Sequence, residues 1–117
     1  MALDYRELKV WQKAVELTVL NYKLTLSLPK SELYGLSSQT RRSSVSVASN
    51  IAEGRGRING AELRHFLRIA RGSTCELLTQ IHVARALGFG SDHALDEAGN
   101  QEQRSFEDAS VLDSSSL

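Results

Sequence analysis

Apolar residues recur along most of the chain at alternating intervals of three and four, the spacing that lines one side of an α-helix. Leu8, Trp11, Val15, Thr18 and Tyr22 make the first such stripe, with Lys9, Lys13, Glu16 and Lys23 largely opposite. Asp4 and Glu7 have the spacing of a capping box, in which each side chain satisfies a backbone N–H orphaned at a helix start. Pro29 disfavours helical geometry in the residue before it, so the first helix must end by Leu28. Residues 29–36 read as a connector with a short turn closed by Gly35. Ser37 or Ser38 is placed to cap a second helix that reaches Glu53, with Gly54 as its left-handed stop. Thr40, Ser43, Ser44, Ser46, Ala48, Ser49 and Ala52 are all small, while Val45, Val47 and Ile51 supply most of that helix's apolar surface. Small side chains let a neighbouring backbone come close, which predicts a helix buried in the middle of a bundle.

Gly54-Arg55-Gly56-Arg57 is a short basic loop, after which Asn59 opens a third helix with Glu62 placed to complete a capping box. Leu63, Phe66, Ala70, Ser73, Leu77, Ile81, Ala84 and Leu87 form its seam, the pattern of a helix packed nearly parallel to its neighbours, and Gly88 ends it. Leu95, Ala98, Phe106, Ala109 and Leu112 form a weaker stripe, interrupted by Gly99 and Asn100, with Glu102 in a core-like position. A fourth helix, weak or short, is expected there, and the last residues, Asp113 to Leu117, read as frayed. The chain is therefore expected to be one all-α domain. Residues 1–90 hold helices one to three, and residues 91–117 hold the weak fourth helix and an acidic tail.

Composition agrees with this pattern. A hydrophobic share of 41%, a charged share of 24% and a single proline suit one helical domain better than a set of short strands. The lone Cys75 excludes an internal disulfide and a cysteine-based zinc cage. Charges interrupt the amino terminus at once, against a signal peptide, and no apolar run approaches the ~20 residues of a membrane span. No membrane association is expected, and the cytoplasm is the default compartment. The net charge of zero hides an asymmetry. Residues 41–91 carry eight arginines against three glutamates, and residues 92–117 carry one arginine against seven acids. An acidic tail folded back over the basic surface would shield it.

Several stretches occur together in order. They are Leu8-Lys9-Val10-Trp11-Gln12-Lys13-Ala14, Pro29 with Glu32-Leu33-Tyr34-Gly35-Leu36, and Ser38-Gln39-Thr40-Arg41-Arg42. Ser49-Asn50-Ile51-Ala52-Glu53-Gly54 and Phe66-Leu67-Arg68-Ile69-Ala70-Arg71-Gly72-Ser73 with Glu76-Leu77 follow. Over about residues 5–90 the chain resembles the four helix bundle protein family, also called 23S rRNA intervening-sequence proteins. The resemblance implies an antiparallel up-down four-helix bundle, a homopentameric ring and no enzymatic activity. Some members are encoded within ribosomal RNA genes. Related bundles serve diversity-generating retroelements as accessory proteins that bind nucleic acid and a reverse transcriptase. The resemblance ends over residues 91–117.

Arg64, Arg68 and Arg71 recur at helical spacing, and Arg41, Arg42, Arg55 and Arg57 lie on neighbouring elements. Planar guanidinium groups suit phosphate oxygens, so the seven are candidates for binding the backbone of RNA or DNA without base specificity. The alternative is a structural or protein-interaction module in which the arginines serve subunit contacts. The family pattern singles out Asn50, Glu53, Arg57, Ser73 and Glu76, read here as a structural polar network or interface. Expected partners are further copies of the chain, RNA or DNA, and a nucleic-acid-processing protein. No cofactor, metal or catalytic residue is expected. Glu62-Leu63-Arg64-His65 is one copy of a motif that di-iron bundles need twice. Ser27-Leu28-Pro29-Lys30 lacks the companions of a serine–lysine nucleophile, and Cys75 with His82 lacks an orienting acid. Gly54–Arg57 lacks the lysine–serine ending of a phosphate-binding loop.

Overall fold

The computed structural model describes residues 4–57 and 59–115, with side chains described as far as Glu107. Four helices, α1 (Lys9–Leu26), α2 (Leu36–Arg55), α3 (Gly60–Ala86) and α4 (Asp92–Ser115), run antiparallel up and down, and no strand occurs among the described residues. α1 packs on α2 and α4, and α3 packs on α2 and α4, so the bundle is square in section, with extents of 46 × 23 × 20 Å.

The helix ends obey capping chemistry, not always with the residues the sequence suggested. Asp4 caps a 3₁₀ turn over Tyr5–Glu7 ahead of α1 by accepting from the Arg6 N–H at 2.9 Å. The Arg6 guanidinium grips both of its carboxylate oxygens and holds the carboxyl down at about 2. That grip replaces the expected Asp4–Glu7 box, and Leu8 begins α1 without a side-chain cap. α2 begins after Gly35, and the Glu32 carboxylate, not Ser37 or Ser38, accepts the Leu36 N–H at 3.1 Å. A negative group there also opposes the positive end of the helix dipole. Asn59 caps α3 as expected, accepting from the Glu62 N–H at 2.8 Å. At the other end Gly88, at φ 75°, closes a Schellman motif in which Phe89 N–H reaches the Ala84 carbonyl at 2.8 Å.

Gly54 differs from expectation. It is buried and helical, and α2 continues to Arg55 with Gly56 as its C-cap at φ −76°. A Cβ on Gly54 would stand 3.0 Å from Phe66 Cβ and 3.3 Å from the Leu63 carbonyl oxygen, so the glycine serves close approach of α2 to α3.

The core divides into two apolar clusters. One holds Leu24, Leu28, Leu36, Ile81, Ala84, Leu95 and Ala98, and the other holds Ala14, Val47, Ile51, Ala70 and Leu77. Between them lie buried polar residues. Asn21 falls between Ala14 and Leu24 on α1, Thr40, Ser43 and Ser44 fall between Leu36 and Val47 on α2, and Glu102 follows Ala98 on α4. Thr40 and Thr74 bond back to the carbonyls of Leu36 and Ala70, while Asn21 Nδ2 donates to Glu102 Oε1 at 2.7 Å.

On α3 the expected seam holds from Ala70 to Ala84, though Leu87 is 58% exposed. On α1 the seam is rotated from expectation. Ala14, Leu17, Asn21 and Leu24 face inward, while Val15 and Tyr22 lie at 37% and 41% exposure. α4 is not short: it runs through Gly99 and Asn100 because Leu95, Ala98 and Glu102 keep one inward face. Leu95 and Ala98 belong to the core, so removing residues 92–117 would open the bundle rather than merely uncover the arginines. The expectations for Ala109, Leu112 and the tail side chains fall outside the described residues.

Two glycine substitutions should move stability in opposite directions. Gly72 has nothing among the described residues within 4 Å of an added Cβ, so Gly72→Ala should stabilise by about 0.5–1 kcal/mol through helix propensity. At Gly54 the same gain meets an overpacking cost of about 1–3 kcal/mol, so Gly54→Ala should destabilise by about 1–2 kcal/mol. Leu77, 1% exposed, should cost about 2–5 kcal/mol when cut to alanine. Denaturant midpoints at constant slope check all three. An unchanged midpoint for Leu77→Ala would place the core on another side of α3.

Candidate nucleic-acid interface

Helical period decides where each arginine goes, since successive residues turn by about 100°. Arg41 turns to α1, where its Nε donates to Thr25 Oγ1 at 2.9 Å and its guanidinium lies 5.0 Å from the Tyr22 ring centre. Arg42, the next residue, lines the outer groove between α2 and α3. Arg55, half-buried, comes about four turns after Arg41 and so falls near the same side of α2. Arg57 pairs with Glu53 at 2.7 Å and lies over the Phe66 ring at 4.7 Å. Arg71 lies 5.0 Å from the centre of the Phe106 ring, on the α4 side of α3. Arg64 and Arg68 share that side by their four- and three-residue spacing. The seven arginines are thus distributed over the α1–α2 face, the α2–α3 groove and the α3–α4 face.

Three of them share one local arrangement. Tyr22, Phe66 and Phe106 each hold a guanidinium carbon over the ring, 4.7–5.0 Å from its centre. The electron-rich ring face attracts the cation without using its N–H groups as a hydrogen-bond acceptor of the ordinary kind would. The sequence offers no aromatic platforms interleaved with the arginines beyond His65 and Phe66, because Tyr22 and Phe106 come from α1 and α4.

The residues of the polar network lie along the α2–α3 seam in separate groups. Asn50 Nδ2 donates to the Ser46 carbonyl at 2.8 Å and to Ser46 Oγ at 3.0 Å, and Ser46 Oγ meets Ser73 Oγ at 2.9 Å. Ser43 Oγ donates to Glu76 Oε2 at 3.3 Å and accepts from Gln80 Nε2 at 3.2 Å. Glu53 and Arg57 form their own pair near the loop. The outer groove there encloses about 380 Å³. An adjoining depression of about 400 Å³ adds Leu36, Cys75, Thr79 and Val83. Ser43, Ser46 and Gln80 were not singled out from the sequence. For Ser46 the signal was a second, polar stripe of Gln39, Arg42, Ser46, Asn50, Glu53 and Arg57 recurring every three or four residues, whereas nothing local marked Ser43 or Gln80.

An apolar surface lies on the other side of α2. Val15, Val19, Tyr22 and Leu26 repeat on α1 at intervals of four, three and four, and Val19 and Leu26 are 53% and 77% exposed. Val45 of α2 and Leu33 and Tyr34 of the connector join this side around a hollow that also includes Arg41 and Arg42. Tyr34 is 93% exposed.

The remaining candidates have structural surroundings. Ser27 Oγ donates to the Leu24 carbonyl at 2.7 Å and accepts the Ser91 N–H at 3.4 Å, tying the end of α1 to the α3–α4 connector. Cys75 and His82 are both exposed on α3. Among the described residues no group of three histidine, cysteine or acidic side chains is arranged to hold a metal ion. No described helix is long and apolar enough to cross a membrane.

Comparison with known proteins matches this fold. A crystal structure from Bacteroides thetaiotaomicron VPI-5482, described as a protein with unknown function from the S23 ribosomal protein family, superposes with a TM-score of 0.81. It is 18% identical and aligns with 91% of this chain and 99% of its own. No curated protein matches the sequence. The sequence pattern of a known family covers residues 6–105, reaching well into α4 and beyond the stretch where motifs alone carried the resemblance. The chain belongs to the 23S rRNA-intervening sequence protein family.

Proposed function

We propose that this protein is a non-enzymatic, self-assembling helical bundle that holds the phosphate backbone of RNA or DNA. The reading rests on one observation above all. Arg64, Arg68 and Arg71 share one side of α3, and Arg71 is braced on Phe106, in a chain whose family is named for 23S rRNA intervening sequences. A guanidinium held beside a ring loses less freedom when it takes a phosphate, and an arginine can give two parallel hydrogen bonds. Backbone contacts of this kind carry no base specificity and weaken as salt rises.

Self-assembly is the second element of the proposal. Val15, Val19, Tyr22 and Leu26 repeat at coiled-coil spacing on the outside of α1, a pattern that favours another apolar surface over water. The hollow beside them includes Arg41 and Arg42, which supports subunit contact as their role, leaving Arg64, Arg68 and Arg71 for nucleic acid. Five copies are the number the family resemblance implies. Repetition of one arginine surface would let weak phosphate contacts act together. A nucleic-acid-processing protein is the further partner this reading admits, and the cytoplasm its compartment.

Gel shifts with generic RNA over a salt series test the proposal. Affinity should fall steeply with salt, and Arg64→Ala, Arg68→Ala and Arg71→Ala together should lower the log–log salt slope by about 3. Unchanged binding by the triple variant would remove this face of α3 from consideration. Sedimentation should give about five times the 12.9 kDa chain mass, and Val19→Glu should release smaller species while leaving the fold intact. A native chain that sediments as a monomer at high concentration would overturn the assembly.

A further inference from the structure

Glu102 occupies an inward position on α4, one turn after Ala98 and two after Leu95, and is 2% exposed. Its Oε1 accepts from Asn21 Nδ2 at 2.7 Å. Asn21 is completely buried, and its Oδ1 has no hydrogen-bond partner among the described residues. An ionised carboxylate cannot supply one, because it only accepts, and its charge would stand in an interior that penalises unpaired charge. A neutral carboxyl can. It presents one O–H donor beside one C=O acceptor, the complement of a primary amide.

We propose that Glu102 is protonated in the folded protein and forms with Asn21 a two-bond acid–amide clasp, joining α4 to α1, that opens when the carboxyl ionises. The surroundings suit a neutral acid. Lys13 is the charged group on α1 that acts on Glu102, but its Nζ bonds Gln101 Oε1 at 2.8 Å and lies 3.9 Å from Glu16. None of the buried residues of α2 and α3, Thr40, Ser44, Thr74 and Leu77 among them, is ionisable. Arg71 of α3 lies over the ring of Phe106, one turn further along α4. Removal from water pushes the Glu102 carboxyl from an ordinary 4.5 up to about 7, against smaller opposing pulls from the Asn21 hydrogen bond and the Lys13 charge.

The direction of the pH effect follows. The folded chain holds this proton more tightly than the unfolded chain. The stabilisation is therefore complete below the ordinary value of 4.5 and is lost as pH rises through about 7. The clasp stands independently of what the arginines bind.

Carbon-13 NMR of the full-length, carboxyl-labelled protein reads the Glu102 group directly. Its resonance should remain that of the acid at about pH 5.5 and titrate near neutrality. A midpoint in the usual carboxylate range overturns the clasp. Glu102→Gln replaces the acid by a carboxamide able to make the same two bonds. Its denaturation midpoint should lose most of the fall that the native chain shows between about pH 5 and pH 8. Equal falls in the two proteins overturn the proposal, and the NMR titration decides alone if the variant does not fold.

Discussion

The hydrogen bond from Asn21 to Glu102 is the constraint around which the bundle is organised. Apolar seams alone attract helices without fixing how far each slides along its neighbour. A buried amide that must meet a buried carboxyl allows one register, because displacement by a turn would strand both groups at a cost of about 1–3 kcal/mol each, more for a charged one. The two apolar clusters meet at this polar level, with Leu24 and Leu95 in one and Ala14 and Leu77 in the other. α4, whose Gly99 and Asn100 favour helix least, is held to α1 where its intrinsic propensity is low.

α2 meets a different demand. It packs against both α1 and α3, and most of its buried residues are small: Ser37, Thr40, Ser43, Ser44 and Gly54 alternate with the larger Leu36, Val47 and Ile51. The small ones add little apolar burial and instead permit short distances to the neighbouring helices. Gly54 against Phe66 and Leu63 is the closest case. Its hydroxyls bond sideways, Ser46 to Ser73 and Ser43 to Glu76, so the outer α2–α3 seam is polar while the outer α1–α2 side is apolar.

How far the sequence could be read depends on whether a feature was local. The existence of three helices and their order follow from period, Pro29 and the Asn59 cap, each a property of a few consecutive residues. The seam of α3 was legible because one apolar stripe runs along it. α1 carries two stripes a quarter-turn apart, Ala14-Leu17-Leu24 and Val15-Val19-Tyr22-Leu26, and period alone cannot say which faces the core. Gly54 reads as a helix stop when seen beside Arg55 and Gly56, and only the proximity of α3 reveals it as a packing site. The Glu32 cap on Leu36 required a carboxylate to fold back over a turn. The supports beneath Arg41 and Arg71 come from residues 19 and 35 positions away in sequence, and no local pattern could join them.

The distribution of the arginines bears on the proposed assembly. In a section of about 23 × 20 Å, no single approach reaches both the Arg41 side of α2 and the Arg71 side of α3. The apolar α1–α2 side and the α2–α3 groove adjoin one another across α2, near a right angle in a square bundle. If one copy sets its apolar side against the depression beside the groove of the next, where Leu36, Cys75 and Val83 lie, each copy turns by about 70–90° relative to the last, and the series closes after four or five. Opposite faces would instead propagate an open filament. Such a closure turns α2 toward the axis, which suits a helix whose outward residues include Ser38, Ser49 and Ala52. It leaves α4 and the adjoining Arg64-Arg68-Arg71 side of α3 at the periphery, where a long phosphate backbone can follow successive copies.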